Sequence, residues 1–214
     1  MSVSTQKGFV AFLALHRLAA LTDGVFAIVM TLLVLEISIP EIAQSSLNSE
    51  LPQRLIELWP KFLSYVISFV ILGIFWYLHH IAFHYIKRSD NGLIWLNILF
   101  LMFVALIPFS TSLFGSYGTE QLPLIIYAIN IIFVMAIRFI IWTYATAKRR
   151  LVDKDISTRL LRWDKLITLG LFLIFLLMIG VSFINVTAAR AVFSLLGIFG
   201  LIMSIMARKI FVTI

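Results

Sequence analysis

Residues 18–39 read LAALTDGVFAIVMTLLVLEISI, an apolar run from Leu18 to Ile39 that stops at Pro40. A helix of that length rises roughly 30 Å, the thickness of a bilayer's hydrocarbon core. Five more blocks of the same character follow: Phe62–Ile86 after Pro60, Leu93–Phe114 with Pro108 inside it, Leu122–Ala147 with Pro123 in its first turn, Leu166–Ile184 and Ala191–Val212. Strands of a membrane barrel would alternate in hydropathy over about ten residues. These blocks are continuous instead, so the fold expected is an all-α membrane protein with six transmembrane helices per chain. Residues 1–214 are expected to form a single six-helix transmembrane domain.

Composition agrees. The chain has 214 residues, 62% of them hydrophobic and only 13% charged, whereas a soluble domain carries about 25% charged residues. Its net charge of +7 is not spread as a nucleic-acid surface would need. Lys7 and Arg17 precede the first block, Lys87 and Arg88 follow the second, and Lys148, Arg149, Arg150, Lys154, Arg159, Arg162 and Lys165 separate the fourth from the fifth. Arg208 and Lys209 lie at the end of the sixth. The opposite connectors hold Arg54, Lys61 and Arg190 among Glu41, Glu50, Glu57 and Glu120. With an even number of spans, this asymmetry puts both termini in the cytoplasm. No nucleic-acid partner is expected; the surroundings are a lipid bilayer. The location is a cell membrane crossed several times, the inner membrane if the source is bacterial. The opening MSVSTQKGFVAFLALHR reads as an amphipathic lead-in to the first helix rather than a cleaved signal peptide.

Charged groups inside a span cost about 2.5–3.5 kcal/mol on insertion scales, so each calls for a reason. The first block holds Thr22 and Asp23, with Arg17 just before it and Glu36 near its far end. Arg17 and Asp23, six residues apart, do not share a helix face, and each needs partners on other helices. Asp23 fits two readings, a structural hydrogen-bonding residue or a carboxylate facing an aqueous vestibule. Arg138, about 15 Å inside the fourth block, calls for an acid or carbonyls in the bundle interior. His80 and His84 have the i, i+4 spacing of a metal or haem site, but no third ligand lies near them and no HExxH pattern joins them. A hydrogen-bonding or proton-sensing role suits such histidines better.

The run Gly115, Ser116, Tyr117, Gly118 lacks the order of a carbonyl filter and reads as a turn between spans. The chain has no cysteine, and no phosphate-binding loop, dinucleotide fingerprint, nucleophile elbow or carboxylate pair appears. An enzyme is not expected, nor is a cofactor.

The segment Arg17, Leu18, Ala19, Ala20, Leu21, Thr22, Asp23, Gly24, Val25, Phe26, Ala27, Ile28 resembles the signature of the transmembrane protein 175 family of lysosomal-type potassium channels. That signature reads Arg-x-x-x-Phe-Ser-Asp at the head of the first helix and usually continues Gly-Val-Phe-Ala-Ile. Leu21 stands here for the phenylalanine and Thr22 for the serine, apolar for apolar and hydroxyl for hydroxyl. Trp76, His79 and Phe83, then Asp90, Asn97 and the run Pro108-Phe109-Ser110-Thr111, look like the family's second and third helices.

The resemblance implies one six-helix unit per chain, assembled as a homotetramer around a pore that the first helix lines without a re-entrant carbonyl filter. It implies that the narrowest point is a ring of Ile28, with potassium as a passing ion rather than a bound cofactor. It also implies that Arg17, Thr22 and Asp23 form a polar network bracing the first helix, with Trp76, His79 and Asn97 as candidate partners. Beside it stands the pattern Ile28, Leu32, Leu35, Ile39, a single helical stripe. Periodicity leaves open whether such a stripe faces lipid, core or pore; the motif selects the pore. An ion crossing a narrow apolar ring sheds part of its hydration shell, and potassium gives up water more readily than sodium. A ring of this kind favours potassium and can gate by dewetting. Thr31, beside the stripe, offers a hydroxyl to a hydrated ion. The function expected is therefore a potassium-favouring cation channel. The alternatives are a cation- or proton-coupled secondary transporter using Asp23, Glu36 or a histidine, and a membrane enzyme or haem protein on His79, His80 and His84.

Overall fold

The computed structural model describes residues 3–38, 40–153 and 157–193, with side chains from residue 15 onward except at 158–164. Seven α-helices follow one another in these residues: α1 (Val3–Leu35), α2 (Leu47–Glu57), α3 (Trp59–Tyr85), α4 (Asn91–Ala105), α5 (Ile107–Tyr117), α6 (Gln121–Thr146) and α7 (Thr158–Ser182). Residues 186–193 are helical again. Five stretches are long and apolar enough to cross a membrane: Leu15–Leu35, Trp59–Tyr85, Asn91–Tyr117, Gln121–Arg149 and Lys165–Ser182. In hydrocarbon every peptide group must bond within its own helix, which is why apolar blocks of this length become helices at all. Most of the sixth expected block, from residue 194 on, lies outside the described residues, as does Ile39.

Several expected boundaries are corrected. Helix α1 ends at Leu35, and the backbone amides of Glu36 and Ile37 close it by donating hydrogen bonds to the Leu33 and Val34 carbonyls at 3.4 and 3.1 Å. Glu36 thus sits beyond the helix rather than inside a span. The third block is two helices, because Pro108 has no N–H and takes the second position of α5. The amide of Leu106 turns instead to the Phe103 carbonyl at 3.2 Å. Gly115 to Tyr117, expected as a turn, complete the last turn of α5, and only Gly118 caps it. Helix α7 begins at Thr158, eight residues before the expected Leu166. Helix α2 was not expected. Its Leu47, Leu51 and Leu55 share one face while Glu50, Gln53, Arg54 and Glu57 share the other, and none of its residues is buried.

The core lies among α3, α4, α5 and α6, with α6 the most enclosed. Helix α1 packs along α3, α4 and α5, and α7 packs on α6. Leu72, Leu93, Phe100, Ile107, Leu124, Ile131 and Trp142 are fully enclosed. In lipid, apolar contact alone does not distinguish a neighbouring helix from an acyl chain, so specificity falls to close packing and to buried polar pairs.

Candidate functional site: the first helix and its polar partners

Helix α1 divides sharply into two faces. Leu18, Thr22, Phe26, Val29 and Leu33 are buried, at spacings of four, four, three and four. The far side is open: Ile28 is 60% exposed and Leu35 72%, against 1% for Phe26, 3% for Val29 and 0% for Leu33. Leu32 and Thr31 are exposed with them. The Thr31 hydroxyl donates to the Ile28 carbonyl at 2.7 Å, so its proton is engaged along the helix while its oxygen stays accessible. The apolar stripe is therefore the side of α1 that this chain does not use for its own core.

The buried side carries a chain of hydrogen bonds across three helices. The Thr22 hydroxyl donates to the Leu18 carbonyl at 3.0 Å. Its oxygen accepts from Asn97 Nδ2 of α4, also at 3.0 Å. Asn97 Oδ1 in turn meets His79 Nε2 of α3 at 2.8 Å. An amide oxygen only accepts, so His79 Nε2 carries the proton. The His79 ring stacks between Phe83 and Phe100, with centroids 4.1 and 5.1 Å away. A buried polar group without a partner is costly, and here each member's bond satisfies the next.

Asp23, one residue on from Thr22, points elsewhere. Its Oδ1 accepts from the Trp76 indole at 2.8 Å on the exposed edge of α1 and α3, and Trp76 lies against His80 with centroids 5.6 Å apart. The expected polar residues thus fall into two groups: Thr22, Asn97 and His79 in one buried chain, Asp23 and Trp76 in a surface pair. Arg17 joins neither; it is exposed, and none of the described residues bonds its side chain. Arg138 is buried, and its Nη1 donates to the Thr168 hydroxyl of α7 at 2.6 Å.

A second buried cluster joins Ser110 and Thr111, of the run quoted above, to Ser68, Tyr127 and Asn130, which the sequence did not single out. Thr111 donates to Ser68 Oγ at 2.9 Å, Ser68 shares a hydrogen bond with the Tyr127 hydroxyl at 3.1 Å, and Asn130 Nδ2 donates to Ser110 Oγ at 3.1 Å. It gathers α3, α5 and α6 beside the Pro108 break. For Ser68, Tyr127 and Asn130 the available signal was weak: single polar groups inside apolar blocks, each unremarkable alone.

Asp90 joins the opposite end of α4 to the rest. Its Oδ1 caps α4 by accepting from the Leu93 amide at 2.9 Å, and its Oδ2 accepts from the Tyr144 hydroxyl and Arg150 Nη2, both at 3.0 Å. The Arg150 guanidinium lies over the Tyr144 ring, 4.5 Å from its centre.

Residues 17–108 match the family model described as endosomal/lysosomal potassium channel TMEM175, a range that includes Thr22, Asp23, Ile28, Trp76, His79 and Asn97. A protein of Streptomyces collinus named a potassium channel is 32% identical over 86% of this chain and 89% of its own length. Another so named, from Chamaesiphon minutus, is 34% identical over 86% of this chain and 91% of its own. The crystal structure of a lysosomal potassium-selective channel TMEM175 homologue from Chamaesiphon minutus superposes with a TM-score of 0.78 at 28% identity, covering 89% of this chain and 98% of that one. These relatives are channels rather than enzymes. With its apolar spans, its divided first helix and relatives matched over nearly their whole length, this multi-pass membrane chain belongs to the TMEM175 family.

Proposed function

We propose that this protein is a potassium-favouring cation channel of a cell membrane, the inner membrane in a bacterium, formed by four copies around a shared axis. The first helix of each copy contributes Ile28, Leu32 and Leu35 to the pore, and a ring of Ile28 is its narrowest point. The observation that carries this reading is the exposure of Ile28 and Leu35 on a helix whose other face is sealed into the bundle. One helix per chain cannot enclose a pore, so the open face calls for copies of itself. The potassium-channel names of the two bacterial relatives supply the ion.

In this reading α1 is a rod held from behind. The chain Thr22–Asn97–His79 and the pair Asp23–Trp76 fix its rotation, and so decide which residues meet the axis. An ion passing the Ile28 ring loses part of its hydration without receiving protein oxygens, which favours the ion that dehydrates more cheaply and keeps selectivity modest. Thr31 adds a ring of hydroxyl oxygens three residues on. No resident metal or cofactor takes part; potassium is cargo.

The test is ionic current through purified, reconstituted protein in asymmetric potassium and sodium, comparing wild type with Ile28→Asn, and molar mass by light scattering for the copy number. A potassium-favouring reversal potential that collapses in the variant is expected. Folded protein without current, or with selectivity indifferent to Ile28, would overturn the assigned pore; slow, saturable flux would point to a carrier.

A further inference from the structure

Two connectors meet where α3 and α6 stop, one leading into α4 and the other following α6. The connector after α3 carries Lys87 and Arg88; the one after α6 carries Lys148, Arg149 and Arg150. The backbone clips them together. The amides of Lys87 and Arg88 both donate to the Leu151 carbonyl, at 2.8 and 3.2 Å, and Asp153 N donates to the Tyr85 carbonyl at 3.3 Å. Ile86 and Val152 pair as one antiparallel bridge, buried with Leu151 beneath it. These five basic residues all remain exposed, and among the described residues of the two connectors the carboxylates are Asp90 and Asp153.

Positive charge at helix ends is common to membrane proteins. Two features go further here. The charges of two distant connectors are held as one surface by backbone hydrogen bonds, where topology alone would leave each connector loose. Moreover, Lys148 and Arg149 both adopt left-handed backbone, with φ of 51° and 52°, a region that costs little only for glycine, asparagine and aspartate. That conformation is held by Arg150 N on the Ala147 carbonyl at 3.1 Å and Leu151 N on the Ala145 carbonyl at 3.2 Å. Unfavourable backbone kept in place by its surroundings points to a use for the surface it builds.

We propose that this clip is a docking surface for anionic phospholipid headgroups of the leaflet it adjoins. The occupant follows from charge complementarity and position. Ammonium and guanidinium groups pair with phosphate oxygens, and clustered Lys and Arg at the ends of membrane helices sit where anionic headgroups lie. The surface also connects to the first helix: Asp90 of the clip caps α4, and two turns along α4 Asn97 holds Thr22. Headgroup binding therefore steadies the helix that braces α1. The inference rests on the membrane placement of the bundle and is independent of which ion passes.

The experiment compares thermal unfolding of the purified full chain in uncharged detergent with added phosphatidylglycerol or phosphatidylcholine. Phosphatidylglycerol is expected to raise the midpoint by about 2–4 °C beyond phosphatidylcholine, and about 0.5 M salt to suppress the difference. Lys148→Asn/Arg149→Asn, chosen because asparagine tolerates the left-handed turn, should lose most of it. Lys87→Gln/Arg88→Gln, on the other connector, reads the same surface should the first pair fail to fold. Arg54→Gln/Lys61→Gln, far along the chain on the α2–α3 segment, should keep it in full. A wild type that does not distinguish the two lipids would overturn the proposal, as would an undiminished difference in a folded clip variant. Equal stabilisation by inorganic phosphate alone would show a site for soluble anions instead, and overturn it too.

Discussion

The indole of Trp76 donates to Asp23 Oδ1 at 2.8 Å, while the adjacent Thr22, about 100° round the same helix turn, accepts from Asn97. Two consecutive residues of α1 therefore grip two different helices, α3 and α4. Such a double hold sets rotation as well as position, and rotation decides which side chains an assembled pore would present.

Asp23→Asn keeps an acceptor oxygen for Trp76 but removes its charge, turning a charge-assisted hydrogen bond into a neutral one. The expected outcome is a stability loss of about 1 kcal/mol and a smaller assembled fraction, with cation selectivity unchanged. Thermal unfolding and size-exclusion profiles, read beside reversal potentials, check this. A shifted reversal potential in fully assembled protein would show that Asp23 acts on ions directly.

Asn97→Leu should cost about 1–3 kcal/mol, because the His79 Nε2–H is left buried without an acceptor. Adding His79→Phe should recover part of that loss: a third ring between Phe83 and Phe100 needs no partner. A double-mutant cycle of unfolding midpoints measures it. A double variant as unstable as the sum of the singles would contradict the hydrogen-bond chain.

Gly92→Ala tests the clip. A Cβ on Gly92 would stand 2.7 Å from Tyr144 Cζ and closer still to its hydroxyl, pushing the ring off Asp90. Overpacking of this sort costs about 1–3 kcal/mol. In a Tyr144→Ala background the same substitution should cost almost nothing, and unfolding midpoints of the four proteins decide between coupling and independence.

Thr168→Val removes the hydroxyl that Arg138 Nη1 reaches at 2.6 Å. Both residues are buried, and a hydrogen bond to a charged group contributes about 1.5–3 kcal/mol. A loss of that order, with α7 becoming the first segment to lose hydrogen-exchange protection, is expected. Thr168→Ser, which retains the oxygen, should stay near wild type.

Much of the architecture can be read directly from Leu18–Ile39 and the blocks after it, because hydrocarbon leaves a long apolar segment no hydrogen-bonding choice except a helix. Pro108 announces its own break, since a residue without an N–H cannot continue the ladder. Other parts resist such reading for equally physical reasons. Helix α2 carries Pro52 and alternates acids, amides and leucines over eleven residues, so composition makes it look like a polar connector. The turn at Lys148 and Arg149 has no glycine to mark it.

The first helix shows the division most clearly. Its motif and its stripe of Ile28, Leu32 and Leu35 are local features, fixed by residue type and a 3.6-residue period. Whether that stripe faces a core or stays open depends on α3, α4 and α5 closing over Phe26, Val29 and Leu33 instead. The bond between Thr22 and Asn97 spans 75 residues of chain, and Arg138 meets Thr168 across 30. A period says that residues share a face; it cannot say which helix that face will meet. In lipid, where apolar surface has little preference among neighbours, that choice belongs to packing and to a few buried polar pairs, and these exist only once the bundle has closed.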